Sequence, residues 1–73
     1  MELVRNIASG KYFILLEDDP VGANFLLITP EGKVRQIERH LFGLPDIVDQ
    51  KTSLWRCNLT ELQLKKYEEC FDS

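Results

Sequence analysis

His40, Cys57 and Cys70 are the side chains of this 73-residue chain best suited to nucleophilic or redox chemistry. A Cys–His dyad needs the imidazole within hydrogen-bond reach of the thiol and a third group to orient the ring. His40 is the only histidine, so the fold would have to carry it to Cys57 or Cys70. The two cysteines form no Cys-x-x-Cys pair, and with His40 they fall one ligand short of a closed tetrahedral zinc site. The plainer expectation is two free thiols acting as small hydrophobes, Cys57 at the end of a strand and Cys70 on the inner stripe of a helix. His40 then reads as a surface imidazole beside Arg39. No motif calls for a metal or a cofactor, and none of the Gly-x-Ser-x-Gly, His-Glu-x-x-His or phosphate-loop patterns occurs. The chain is therefore expected not to be an enzyme.

Two further groups of charge bear on binding. Glu17, Asp18 and Asp19 form an acidic cluster at a turn. It lacks the spaced ligand series of a calcium loop, so it reads as a solvated hairpin end. Lys33, Arg35, Arg39 and Arg56 can line a basic strip on a sheet, with Trp55 or Tyr12 offering a stacking face for single-stranded nucleic acid. Against that reading stand the formal net charge of −3 and the interspersion of acids and bases. Trp55 is suited to anchor an interface, although in a domain this small it is expected in the core. Trp55, Arg35, Arg39, His40 and Arg56 together mark the candidate interaction surface.

The composition bounds what can hold these residues in place. A chain of 73 residues has room for one core, since a domain of this size buries only roughly 60% of its unfolded surface. Residues 1–73 therefore read as a single small domain. Apolar content of 44% with 29% charged residues is ordinary for a globular chain. There is neither a signal-like N-terminus nor an apolar run near ~20 residues. Secretion and membrane spanning are not expected, and a soluble cytoplasmic protein with reduced thiols is. The sequon Asn58-Leu59-Thr60 then reads as a helix entry rather than a glycosylation site.

Residues 11–17, Lys-Tyr-Phe-Ile-Leu-Leu-Glu, put Tyr12, Ile14 and Leu16 on one face and Phe13 and Leu15 on the other, as in a central strand. Gly10 precedes it as a bend, and residues 17–22 follow as a turn. Residues 24–29 form a second strand, apolar on both faces. The next residues, Pro30-Glu31-Gly32-Lys33, suit a type I turn with Gly32 in the left-handed bulge position, so residues 34–37 should pair back onto residues 25–28. Val34, Ile37 and Leu41 also fit helical spacing, which makes a helical turn near His40 the alternative, but strand then loop is the favoured expectation there, and Pro45 can open a short helical turn over residues 44–49. Residues 52–57 and residues 3–7 are further strand candidates.

Residues 59–72 place Leu59, Gln63, Leu64, Tyr67, Cys70 and Phe71 on one helical stripe, with only Leu62 straying from it. Asn58 or Thr60 can cap that helix, Thr60 with Gln63 approximates a capping box, and Glu61 with Lys65 makes a favourable i,i+4 pair. The fold class is thus α+β: a small curved antiparallel sheet of three to five strands, open or partly closed into a barrel, with a C-terminal amphipathic helix packed on it.

Strands apolar on both faces carry more apolar surface than one helix covers. The leading functional expectation is accordingly a non-enzymatic protein-interaction or assembly module, binding another protein or itself as a homodimer through an open sheet edge or a patch around Trp55. A small nucleic-acid-binding regulator comes second and a thiol-based sensor third.

Overall fold

The computed structural model describes residues 2–19, 21–43, 46–47 and 59–71. Strands β1 (Glu2–Arg5), β2 (Tyr12–Asp19), β3 (Asn24–Ile28) and β4 (Val34–Glu38) form an antiparallel meander, which a 3-10 turn (Arg39–Leu41) and a two-residue strand β5 (Asp46–Ile47) continue. The sheet order is β4-β3-β2-β1-β5, so the expected central strand, β2, lies in the middle of the sheet. Helix α1 (Glu61–Phe71) lies over β2 and β3. Among the described residues the sheet does not close, and β4 and β5 are its two edges. No helix among the described residues is long and apolar enough to cross a membrane.

The β3–β4 hairpin follows the turn chemistry of its sequence. Gly32 N–H donates to the Thr29 carbonyl at 2.8 Å, Thr29 N–H donates to the Lys33 carbonyl at 2.8 Å, and Gly32 takes φ +76°. That is a type I turn followed by a left-handed bulge residue. The first connection is also built by its small polar residues: Gly10 N–H donates to the Asn6 carbonyl at 2.8 Å, and Gly10 has φ +72°. β2 runs two residues further than expected, to Asp19, because the Asp19 carboxylate accepts the N–H groups of Val21 (3.1 Å) and Gly22 (3.0 Å) and so begins the turn beyond it. A bulge between Leu15 and Glu17 keeps β2 in register with β3 despite the longer strand.

The two-sided apolar pattern of β1, β2 and β3 produces two clusters on opposite faces. On one face Leu3, Ile14 and Ile28 are buried with Leu59, and Tyr12, Leu16, Leu64 and Tyr67 pack around them. On the other, Val4, Leu15, Phe25 and Leu27 are buried with Phe42, flanked by Phe13 and Ile37. Phe42 meets Phe13 edge-on with centroids 5.1 Å apart and Phe25 at 6.0 Å.

Phe42 reaches that position because the chain crosses from the β4 edge to the β1 edge in the single 3-10 turn. Ile7 N–H donates to the Leu41 carbonyl (3.0 Å), Gly43 N–H donates to the Arg5 carbonyl (3.0 Å), Asn6 bridges Phe42, and β5 pairs with Glu2 and Leu3. Here the structure corrects two local expectations. A 3-10 turn, not loop, follows β4, and residues 46–47 form a strand rather than a helical turn opened by Pro45. The outer main-chain groups of β1 need partners, and satisfying them outweighs the local signal of one proline. The proposed strand over residues 52–57 lies outside the described residues.

Helix α1 begins with the expected capping box. The Thr60 hydroxyl accepts Gln63 N–H at 3.2 Å, and the Gln63 side-chain oxygen accepts Thr60 N–H at 3.0 Å. The inner stripe is shorter than its pattern: Leu59 and Gln63 are buried, Leu64 and Tyr67 half-buried, but Cys70 is exposed. Periodicity alone thus overestimates what is covered. Its ion pair is Lys66 with Glu69 at 3.6 Å rather than Glu61 with Lys65.

Candidate functional site

Arg39 is held by its neighbours and is not a free cation. Its guanidinium forms an ion pair with the Asp18 carboxylate, donates to the Asp19 carbonyl at 2.9 Å, and lies 5.5 Å over the Phe25 ring. Its Nε is buried without a hydrogen-bond partner. Its main-chain N–H donates to the Ala23 carbonyl at 2.9 Å. Arg39 thus ties the end of β4 to the turn between β2 and β3, a positioning task that accounts for part of the acidic cluster as well.

His40 is exposed, as expected for a surface imidazole, with Nε2 3.5 Å from the Glu38 carboxylate, an ion pair only when the ring is protonated. Cys70 is a free, exposed thiol on α1. Trp55, Arg56 and Cys57 lie outside the described residues. Among the described residues no group of three or more His, Cys, Asp or Glu side chains is placed to hold a metal ion.

The expected basic strip therefore reduces, among the described residues, to Lys33 and Arg35. Both are exposed and make no ion pair with any described residue. They sit two residues apart on extended chain at the sheet's edge, so both point to the same side. Glu31 in the adjoining turn has its pKa lowered from the usual carboxylate value. Hydrogen bonds from its own main chain and from Thr29 are the main causes, and Lys11 and Lys33 add a smaller attraction.

β4 is the edge that carries these two cations, and the hairpin fixes which of its main-chain groups are free. In an antiparallel ladder the hydrogen-bonded and non-hydrogen-bonded pairs alternate. Thr29–Lys33 and Ala23–Arg39 are hydrogen-bonded pairs at the two ends, and the register between them runs without a bulge. Arg35 and Ile37 consequently bond inward to Leu27 and Phe25. Val34, Gln36 and Glu38 turn their N–H and C=O groups outward, with no strand beside them among the described residues. β4 contains no proline, glycine or bulge, and all its side chains except Ile37 are exposed. These outward positions were not picked out from sequence. The signal was present, since a type I turn with a left-handed bulge at Gly32 makes Thr29–Lys33 a bonded pair and sets the parity of every residue after it.

A groove of about 550 Å³ opens on the helix side between Lys11, Tyr12, Pro30, Glu31, Thr60 and Gln63. Its one fully buried polar side chain, Gln63, is committed. The amide nitrogen donates to the Tyr12 carbonyl (2.8 Å) and the Ile28 carbonyl (3.2 Å). The β2–β3 register carried past Ile14–Ile28 places Pro30 opposite Tyr12, and proline has no N–H to give. Gln63 supplies the missing donor, and the Thr60 hydroxyl donates to the Pro30 carbonyl beside it. The groove floor is thus a structural joint between helix and sheet.

No family model, no curated protein and no solved structure matches this chain, so its reading rests on its own geometry.

Proposed function

We propose that this protein is a non-enzymatic interaction module that binds another protein by adding a strand to the open edge of β4. The observation that supports it is the row of outward main-chain groups at Val34, Gln36 and Glu38. Natural sheets usually shorten, bulge or cover such an edge because it templates pairing with another chain. Here β1, the strand next to the opposite edge, is clasped by residues 41–43 and 46–47, while β4 runs without a bulge and has no strand on its outer side among the described residues. In strand addition the main-chain hydrogen bonds provide affinity and the alternating side chains provide selectivity.

The test is Gln36→Pro. It removes one outward donor and leaves the inward bonds of Arg35 and Ile37 untouched, at a position where an edge strand tolerates proline. Partner retention from a cell extract, compared between wild type and this variant, should fall to background while the amides of Arg35 and Ile37 stay protected from exchange. Equal retention by a folded Gln36→Pro protein would remove the proposal.

A further inference from the structure

We infer that the strand accepted by β4 is an acidic segment of a different protein, with carboxylates at alternate positions facing Lys33 and Arg35. This inference rests on the reading of β4 as an interaction edge and adds the chemistry of its occupant.

Val34, Gln36 and Glu38 would bond to the incoming strand, so the positions opposite Lys33 and Arg35 are the non-hydrogen-bonded ones, where cross-strand side chains approach most closely. Both cations are exposed there without an ion pair among the described residues. Arg39, next on that face but one, is already neutralised by Asp18. Acidic residues spaced by two on an extended chain would meet Lys33 and Arg35 together.

A second copy of this chain fits worse, and the alternation shows why. Antiparallel self-pairing must match outward groups with outward groups. The register centred on Gln36 sets Lys33 opposite Arg39 of the second copy. Centring on Arg35 sets Arg35 opposite itself, and centring on Ile37 sets Arg35 opposite Arg39. The Arg35-centred register puts two unpaired cations directly across from one another, which destabilises a sheet, and the other two set Lys33 or Arg35 against Arg39, whose Asp18 partner is already taken, so none of the three offers either cation a carboxylate. Nucleic acid is also a poorer match: two free cations on a chain of net charge −3 give a small phosphate footprint.

The experiment is an NMR titration of the full chain with three probes: a peptide alternating Glu with Thr and Val, the same peptide with Lys for Glu, and a short single-stranded oligonucleotide. The Glu peptide should shift and protect the amides of Val34, Gln36 and Glu38. It should bind at least about tenfold more tightly than the Lys peptide, with the preference reversed in the Lys33→Glu, Arg35→Glu double variant. Gln36→Pro should abolish binding of both peptides. If that variant does not fold, Val34→Pro, at the strand's first residue, removes a neighbouring outward donor instead.

Equal affinity for the two peptides, both lost in Gln36→Pro, would overturn the acidic preference and leave the edge reading standing. Glu-peptide binding that survives Gln36→Pro would overturn both. Oligonucleotide binding that needs Lys33 and Arg35 but not the edge would assign those cations to phosphate and overturn the inference. So would concentration-dependent dimerisation that protects the β4 amides.

Discussion

The helix-bearing face of the sheet and the face opposite it are both withdrawn from water, but by different means. On the helix side a polar joint sets the geometry: Gln63 bonds to main chain from β2 and β3 while closing the capping box with Thr60. On the other side an aromatic side chain, Phe42, is laid across Phe13 and Phe25 by a chain that crosses from one edge to the other. Burial is non-directional and tolerates sliding, whereas a satisfied buried amide fixes position. The helix side should thus be the precise joint and the Phe42 side the larger source of stability.

Phe42→Ala is the most severe way to break that contrast. It removes the ring that joins the two aromatic contacts, and a loss of about 3–5 kcal/mol is expected in denaturant unfolding. A loss near that of an exposed residue would show that the crossing segment contributes little. Gln63→Leu comes next. It keeps the bulk but strips donors from the Tyr12 and Ile28 carbonyls and the acceptor from Thr60 N–H, at a cost of about 2–3 kcal/mol. Amide exchange should accelerate in α1 far more than in β1, and uniform acceleration would mean that the joint is not local.

Gly32→Ala probes the same joint from the hairpin side. The residue has φ +76°, and an added Cβ would lie 2.7 Å from the Leu62 carbonyl oxygen. Calorimetry should register a loss of about 1–2 kcal/mol, and an unchanged melting temperature would show that the turn and helix can part freely. The smallest effect belongs to Glu31. Its folded pKa lies below the ordinary carboxylate value of 4.5, so its contribution is present above that value and is lost as pH falls through the lower folded pKa. Glu31→Gln should slightly lower stability near neutrality and so flatten the acid limb, the difference from wild type closing as pH falls below 4.5, whereas a difference that persists at low pH would place the coupling elsewhere.

The strands and the helix were legible because their signals are local. Alternation in residues 12–16, turn chemistry at Pro30 and Gly32, and the Thr60–Gln63 spacing each act within a few residues. The crossing after Glu38 was not legible. Pairing of residues 41–43 and 46–47 with β1 and its continuation is decided by main-chain groups distant in sequence, and no local propensity encodes it. The candidate surface was half legible. Lys33 and Arg35 stand out by charge, but the capture of Arg39 by Asp18 and Asp19 depends on the β2–β3 turn meeting the end of β4. The exposure of Cys70 was missed because a stripe on a helix says which residues face inward and not where the sheet beneath it stops.

The crossing has a further consequence in time. β2, β3 and β4 can zip together through short turns, but β1 gains its second neighbour only when residues 42 and 46–47 arrive from the far side of the molecule. Contacts of such long sequence separation are slow to form because loop-closure entropy is spent before they return anything. The N-terminal strand, although made first, is therefore the one whose place is completed late: a chain growing from its N-terminus leaves the cover over Val4 unfinished until Phe42 has been added, and that over Leu3 until Leu59 has followed.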